Sequence, residues 1–229
     1  MLQQIPGTLP AKNQRTLFIF LAVMSVSCFG LTILRWYITG RPQFLFLNWN
    51  LFLAAVPWAL STMILSSPML QKRGIFTFFL VVTWLLFFPN SPYILTDLFH
   101  LKSFSTVPKW YDLFMILSFA WTGLVFGFLS LRDMETLLKK RFSSRTVMFS
   151  IVIMLFIIAF GVYLGRYQRW NSWDVISNPN GLIAEIADRF ANPLNHPRTW
   201  GVTMMLGLLL NFMFFSFRMM GRVKFAQNH

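Results

Sequence analysis

Between Leu17 and Phe217 the chain carries six apolar runs, and no soluble fold accommodates that pattern. A helix crossing a bilayer needs about 20 apolar residues, with roughly 17–25 observed. The first run covers Leu17 to Leu34, the second Leu51 to Leu70, and the third starts at Ile75. The fourth covers Leu113 to Leu131, the fifth Val147 to Gly165, and the sixth Trp200 to Phe217. Charge is correspondingly scarce, at 12% of 229 residues. A typical soluble domain carries about 25%. The reading is an all-α, polytopic membrane protein: a bundle of six transmembrane helices with a broken third helix and an outer interfacial helix. Residues 1–16 and 218–229 form tails around a single membrane domain at 17–217.

The net charge of +13 would suggest nucleic acid in a soluble protein. Here the basic residues lie mainly between apolar runs, and no nucleic-acid module is present. The lipid bilayer is the expected partner, with an anionic lipid or lipid-linked substrate as a further one. The single cysteine, Cys28, excludes an intrachain disulfide and a cysteine metal cluster.

Six spans place both termini on one side. Twelve Lys and Arg fall on that side and eight on the other. The bias puts both termini in the cytoplasm of a plasma (inner) membrane protein. The cytoplasmic segment Arg132–Arg141 reads as a solvated helix end. The outer side collects the more informative residues: Asn48 and Asn50, the run PNSPYILTDLFHL at 89–101, Trp110-Tyr111-Asp112, and GRYQRWNSWD at 165–174.

The third run holds only 14 residues from Ile75 to Phe88. At 1.5 Å each they rise about 21 Å, short of the roughly 30 Å hydrocarbon core. Pro89 and Pro92 then remove two amide donors, freeing the carbonyls of Leu85 and Phe88. Asn90 and Ser91 stand ready to satisfy them. The span is therefore expected to run over 75–101 with a break at 89–92. Written as an α-helix, its outer half puts Tyr93, Thr96, Asp97 and His100 on one face. Asp97 and His100 could hold a divalent metal or share a proton, which makes them the candidate catalytic and metal-ligating pair. No cofactor is otherwise indicated.

Asn90, Tyr93, Asp112, Arg166, Arg169, Asn171 and Asp174 are the candidate ligand-binding residues around that pair. Asp112 and Asp174 have a competing reading as helix caps. The arginines suit an anionic group. The last outer connection contains a short amphipathic helix. Its apolar face is Leu182, Ile183, Ile186 and Phe190, opposite Glu185, Asp188 and Arg189.

The run PNSPYILTDLFHL, followed by WYDL and GRYQRWNSWD, resembles the family of bacterial multi-pass membrane proteins known as domain of unknown function 1361. The resemblance covers roughly residues 48–174. It implies a bacterial membrane protein and carries no catalytic residues with it.

Three function classes stay open on the sequence. One is a polar site at the outer face, acting as a metal-assisted hydrolase or transferase, or as a binding site, for an envelope or lipid-linked substrate. The second is a non-catalytic membrane scaffold or assembly subunit. The third is a channel or carrier. Whether the chain is an enzyme, and its oligomeric state, are left open by the residues.

Overall fold

The structure, a computed structural model, describes residues 11–102 and 107–226, with side chains described for 14–99, 101 and 107–220. No strand occurs among the described residues. Six helices are long and apolar enough to cross a membrane, over Gln14–Thr39, Phe46–Ser66, Gly74–Phe99, Lys109–Leu138, Ser144–Tyr167 and Pro197–Met220. Their outward surfaces are apolar. Ile75, Phe78, Phe79, Met205, Phe212 and Met219 are all largely exposed. Water would penalise that surface, and hydrocarbon would not. The chain is a multi-pass membrane protein of all-α class.

The chain divides into two compact units, Met1–Arg141 and Phe142–His229. In the first, helix α1 is Ala11–Thr39 and α2 is Phe46–Ser66. Gly40, at φ 64°, ends α1 and returns its N–H to the Trp36 carbonyl at 2.8 Å. A short α3 (Pro68–Lys72) leads to α4 (Gly74–Phe87). Ser67 caps α3 by accepting from the Leu70 N–H at 3.4 Å. The Gln71 amide donates to the last carbonyls of α2, at Ile64 (3.0 Å) and Leu65 (2.9 Å).

Helix α4 stops at Phe87. A turn at Phe88–Pro89 leads to α5 (Asn90–Tyr93), and a 3₁₀ helix then runs over Ile94–Lys102. Carbonyls at the end of α4 find local donors, Phe88 as expected and Phe87 where the expectation named Leu85. Asn90 Nδ2 donates to the Phe87 carbonyl at 2.8 Å, and the Ser91 N–H donates to the Phe88 carbonyl at 3.0 Å. Ser91, fully buried, also donates its hydroxyl to the Ala54 carbonyl on α2 at 3.0 Å. The break is thereby tied to a neighbouring helix instead of to water, as lipid surroundings require.

The 3₁₀ helix differs from the α-helical face expected there. With three residues per turn, side chains three apart align. Ile94 aligns with Asp97, and both are fully buried; Tyr93 aligns with Thr96. The four-residue relation that joins Tyr93 to Asp97 in an α-helix is lost. His100 continues the backbone at the next step, and its side chain lies outside the described residues.

Helix α6 (Lys109–Leu138) is the spine of the first unit. It packs against α1, α2, α5 and the 3₁₀ helix. Gly123 and Gly127, one turn apart, receive the break. A Cβ at Gly123 would stand 2.8 Å from the Ser91 carbonyl oxygen, and one at Gly127 2.8 Å from Ser91 Cβ. This is close helix approach through small residues. Trp84 Nε1 donates to Ser130 Oγ at 2.5 Å further along the same helix.

At the opposite end of α6, Lys139, Lys140 and Arg141 are exposed as expected, while Asp133 and Glu135 depart from the solvated end expected for Arg132–Arg141. Asp133 accepts hydroxyl hydrogens from Ser61 (2.9 Å) and Thr62 (3.0 Å) of α2. Glu135 is buried and pairs with Lys139 at 2.5 Å. The side chains turn inward because α2 supplies the donors that lipid lacks.

In the second unit α7 (Ser144–Tyr167) packs lengthwise on α10 (Pro197–Ala226). Gly207 admits the Phe156 ring. Between them in sequence lie α8 (Asp174–Ser177), α9 (Pro179–Ala191) and a 3₁₀ turn at Pro193–Asn195. Helix α9 inverts the soluble rule. Arg189 is buried and Glu185 half-buried, while Ile183 and Phe190 are exposed. Leu182 and Ile186 are intermediate. An outward apolar ridge with inward charge suits a helix at a lipid interface.

The fold makes one sharp prediction. Replacing Gly123 by Ala forces the Ser91 backbone to move and should destabilise by about 1–3 kcal/mol. Gly30→Ala, with nothing within 4 Å of the added carbon, should be neutral or stabilising. Thermal unfolding in detergent compares the two.

Candidate functional site

In the first unit the sequence-predicted residues separate into two polar constellations. Asp97 sits on the 3₁₀ helix at 0% exposure. Asn50, in the second turn of α2, donates its amide to Asp97 Oδ2 at 3.2 Å. Ile94 of the same 3₁₀ helix and Leu47 and Leu51 of α2 belong to the buried apolar core of this unit. Thr96 turns its hydroxyl back to the Tyr93 carbonyl at 2.6 Å. Tyr93 and Asn90 are half-buried on the segment that leads into the 3₁₀ helix.

Asp112 belongs to the other constellation. Arg35 Nε donates to its Oδ1 at 2.6 Å and Nη2 to its Oδ2 at 3.3 Å. Their side chains are only 3% and 6% exposed. The Phe44 ring lies under the guanidinium, 4.3 Å from its carbon. Such a fork satisfies both oxygens and cancels the charge in place. Asp112 lies in the first turn of α6, yet it makes no helix cap; it binds α1 to α6. Tyr111 adds a bond from its hydroxyl to the Leu31 carbonyl at 2.9 Å. Thr32 donates to Asn48 Oδ1 at 3.0 Å.

Sequence reading counted Arg35 only toward topology. The signal was nonetheless present, since a lone arginine inside an apolar run needs an acid, and Asp112 falls at the same ends of the spans.

In the second unit Arg166 occupies the last turn of α7 and Arg169 follows it, exposed, at φ 62°. Asp174 serves its own turn. Its Oδ2 accepts the Asn171 N–H at 2.6 Å and the Asn171 amide at 3.3 Å, and its Oδ1 accepts the Ser177 hydroxyl at 2.9 Å. The Asn171 backbone bond, with Ser177 and the Asn171 side chain behind it, holds the Asp174 carboxyl below the usual carboxylate range. Asp188 is held low in the same way by Asn192 and by His196, whose Nε2 lies 2.7 Å away.

A buried network in this unit was missed by the sequence reading. Arg189 Nη2 meets Glu185 Oε1 at 2.6 Å, and Nη1 donates to the Glu185 carbonyl at 2.8 Å. The Gln168 amide completes the ring, with Oε1 accepting from Arg189 Nη2 at 2.9 Å and Nε2 donating to Glu185 at 3.0 Å. The Tyr163 hydroxyl faces Gln168, Thr199 and Arg189. Helical periodicity put Glu185 and Arg189 on one face, opposite the apolar residues, which was the available signal for the pair.

Among the described residues no group of three or more His, Cys, Asp and Glu side chains converges to hold a metal ion. Asp97 and His100 alone would be a two-ligand site, with the His100 side chain outside the described residues.

The family described as Protein of unknown function (DUF1361) matches residues 49–213. The chain belongs to that family. The match takes in α4, the break, the 3₁₀ helix, α6, α7, α9 and most of α10. No curated protein and no solved structure matches the chain.

Two predictions follow from the paired acids. Asp112→Ala leaves Arg35 charged and enclosed, which should cost about 3–5 kcal/mol; Arg35→Met with Asp112→Leu should recover most of it. Denaturant unfolding of the three variants tests this. For Asp174 the folded-state pKa is depressed, so its contribution is complete above the unfolded value of about 3.9. It fades as pH falls through the depressed folded value. The Asn171 amide resonance should titrate with a midpoint below that of a free aspartate.

Proposed function

We propose that the protein carries a ligand site at the outer membrane face, centred on Asp97. Its ligand is an envelope or lipid-linked molecule. Support comes chiefly from one observation: a carboxylate at 0% exposure on a 3₁₀ segment directly after a broken span. Ionisable groups within spans are costly and commonly mark working sites. Irregular backbone at membrane depth belongs beside protein or a wet cavity. Mid-helix 3₁₀ turns commonly mark working segments. Asp97 holds the position where the helix changes type.

In its enzymatic form the site performs hydrolysis or group transfer, with Asp97 and His100 as the catalytic pair. A divalent ion between them would supply the positive charge that activates water or a leaving group. Asn90 and Tyr93 line the same segment. Separately, within the second unit, Arg166 and Arg169 are proposed to hold an anionic group at the end of α7. The basic-residue bias places both termini in the cytoplasm and the site on the far side of an inner membrane.

The second reading is a membrane scaffold. The Arg35–Asp112 fork and the Asp133 bonds to Ser61 and Thr62 favour it, because both join helices without leaving a group to react.

One variant separates the readings. Asp97→Asn keeps shape and removes charge. If Asp97 is a site, the variant melts within a few degrees of the parent, and stabilisation of the purified protein by Mn²⁺ or Zn²⁺ disappears. If Asp97 is a lock, the parent shows no ion response and the variant melts far lower.

A further inference from the structure

The buried network of the second unit leaves donors unused. Arg189 is 5% exposed, Thr199 0% and Thr203 4%. Trp200 Nε1 and Thr203 Oγ1 are enclosed and meet no partner with hydrogen-bond geometry, and Arg189 Nε and Thr199 Oγ1, equally enclosed, have only the Tyr163 hydroxyl near them. They lie close in the fold. Thr199, Trp200 and Thr203 occupy the first two turns of α10. The Tyr163 hydroxyl faces both Thr199 and Arg189. Phe190, next to Arg189, meets the Trp200 ring edge-on at 5.1 Å, and Phe160 stacks on the Trp200 ring at 6.2 Å.

Native interiors rarely leave such groups bare. Arginine and tryptophan nitrogens only donate, so whatever completes this cluster must supply acceptor oxygens. Charge narrows the class. Glu185 neutralises one guanidinium. A second, Arg198, lies 4.3 Å over the Tyr167 ring, and Tyr167 stacks on Tyr163 at 5.1 Å. Two arginines against one carboxylate leave one positive charge. A phosphodiester carries one negative charge and unshared oxygens for several donors. The setting favours a lipid as its carrier, since Ile176, Ile183, Phe190 and Leu194 turn outward on the segment that covers the cluster.

We propose that the C-terminal end of α7, the N-terminal end of α10 and the inward face of α9 form a binding site for the phosphodiester oxyanion of a membrane lipid. Arg189 Nε, Thr199, Thr203 and Trp200 donate to its oxygens. Arg198 supplies the balancing charge, and the apolar ridge of α9 lies beside the acyl chains. The site is independent of Asp97 and does not rest on the function proposed above.

The test uses the full chain in detergent with three probes: short-chain phosphatidylglycerol, short-chain diacylglycerol with the same acyl groups, and inorganic phosphate. Native mass spectrometry reads retention, and melting reads stabilisation. Phosphatidylglycerol should bind and stabilise, and diacylglycerol should do so at least tenfold less well. Thr199→Val with Trp200→Phe removes two donors while keeping volume and ring stacking, and should weaken phosphatidylglycerol at least tenfold. Displacement of the lipid by inorganic phosphate would keep the oxyanion site and make a soluble phosphate its source. If the double variant does not fold, Trp200→Phe and Thr203→Val are measured singly, each expected to weaken binding severalfold. Equal binding of phosphatidylglycerol and diacylglycerol overturns the proposal. So do variants that bind the lipid as the parent does and melt higher, because the bare donors would then be hydrated defects of the packing.

Discussion

Hydrocarbon offers no hydrogen bonds, so every polar group inside the spans must find its partner within the protein. The described structure follows from that constraint more than from helix propensity. Two prolines strip donors from the third span, and Asn90 and Ser91 stand where the carbonyls are left open. Ser91 can reach α2 only because Gly123 and Gly127 let the break sink onto α6. Arg35 finds Asp112, Asp97 finds Asn50, and Asp133 finds two hydroxyls. Each bond joins different helices. Apolar packing between helices gains little over packing against lipid, so these contacts carry much of the specificity of arrangement.

The same constraint explains what was legible in the sequence. Six spans could be read from hydropathy alone, because length and apolarity are the membrane's own criteria. The break could be read from Pro89 and Pro92, because a missing donor is a covalent fact. The 3₁₀ form of Ile94–Lys102 could not. Sequence periodicity tested against 3.6 residues per turn gives a plausible polar face, and nothing in the residue types signals a turn of three. Pairing was likewise hidden. Arg35 and Asp112 stand 77 positions apart, and only the packing of α1 on α6 makes them neighbours.

Helix α9 shows how the medium decides which face of a helix is buried. Its amphipathic pattern is legible in the sequence, which gives the polar and apolar sides and leaves open which of them meets protein. In soluble proteins apolar residues turn in. Beside lipid the preference reverses: Glu185 and Arg189 seek each other inside, and Ile183 and Phe190 lose nothing by facing outward. The periodicity of a helix therefore gives its two faces, while the medium decides which is buried.

An acid inside the bundle is ambiguous until its partner is known, and three of the four acids of the first unit, Asp97, Asp112 and Asp133, resolve differently. Asp112 faces a guanidinium whose fork fills both oxygens, and a fully cancelled charge has no reason to react. Asp133 stands at the opposite end of α6, with two hydroxyls on one oxygen, where Ser61 and Thr62 fix α2 against α6. Asp97 lies on the one span that changes helix type. Strain and irregularity persist where the surroundings over-determine them, and they cluster at working sites. What distinguishes Asp97 from its neighbours is thus the backbone that carries it, and the prolines that create this backbone belong to the argument for function as much as the carboxylate does.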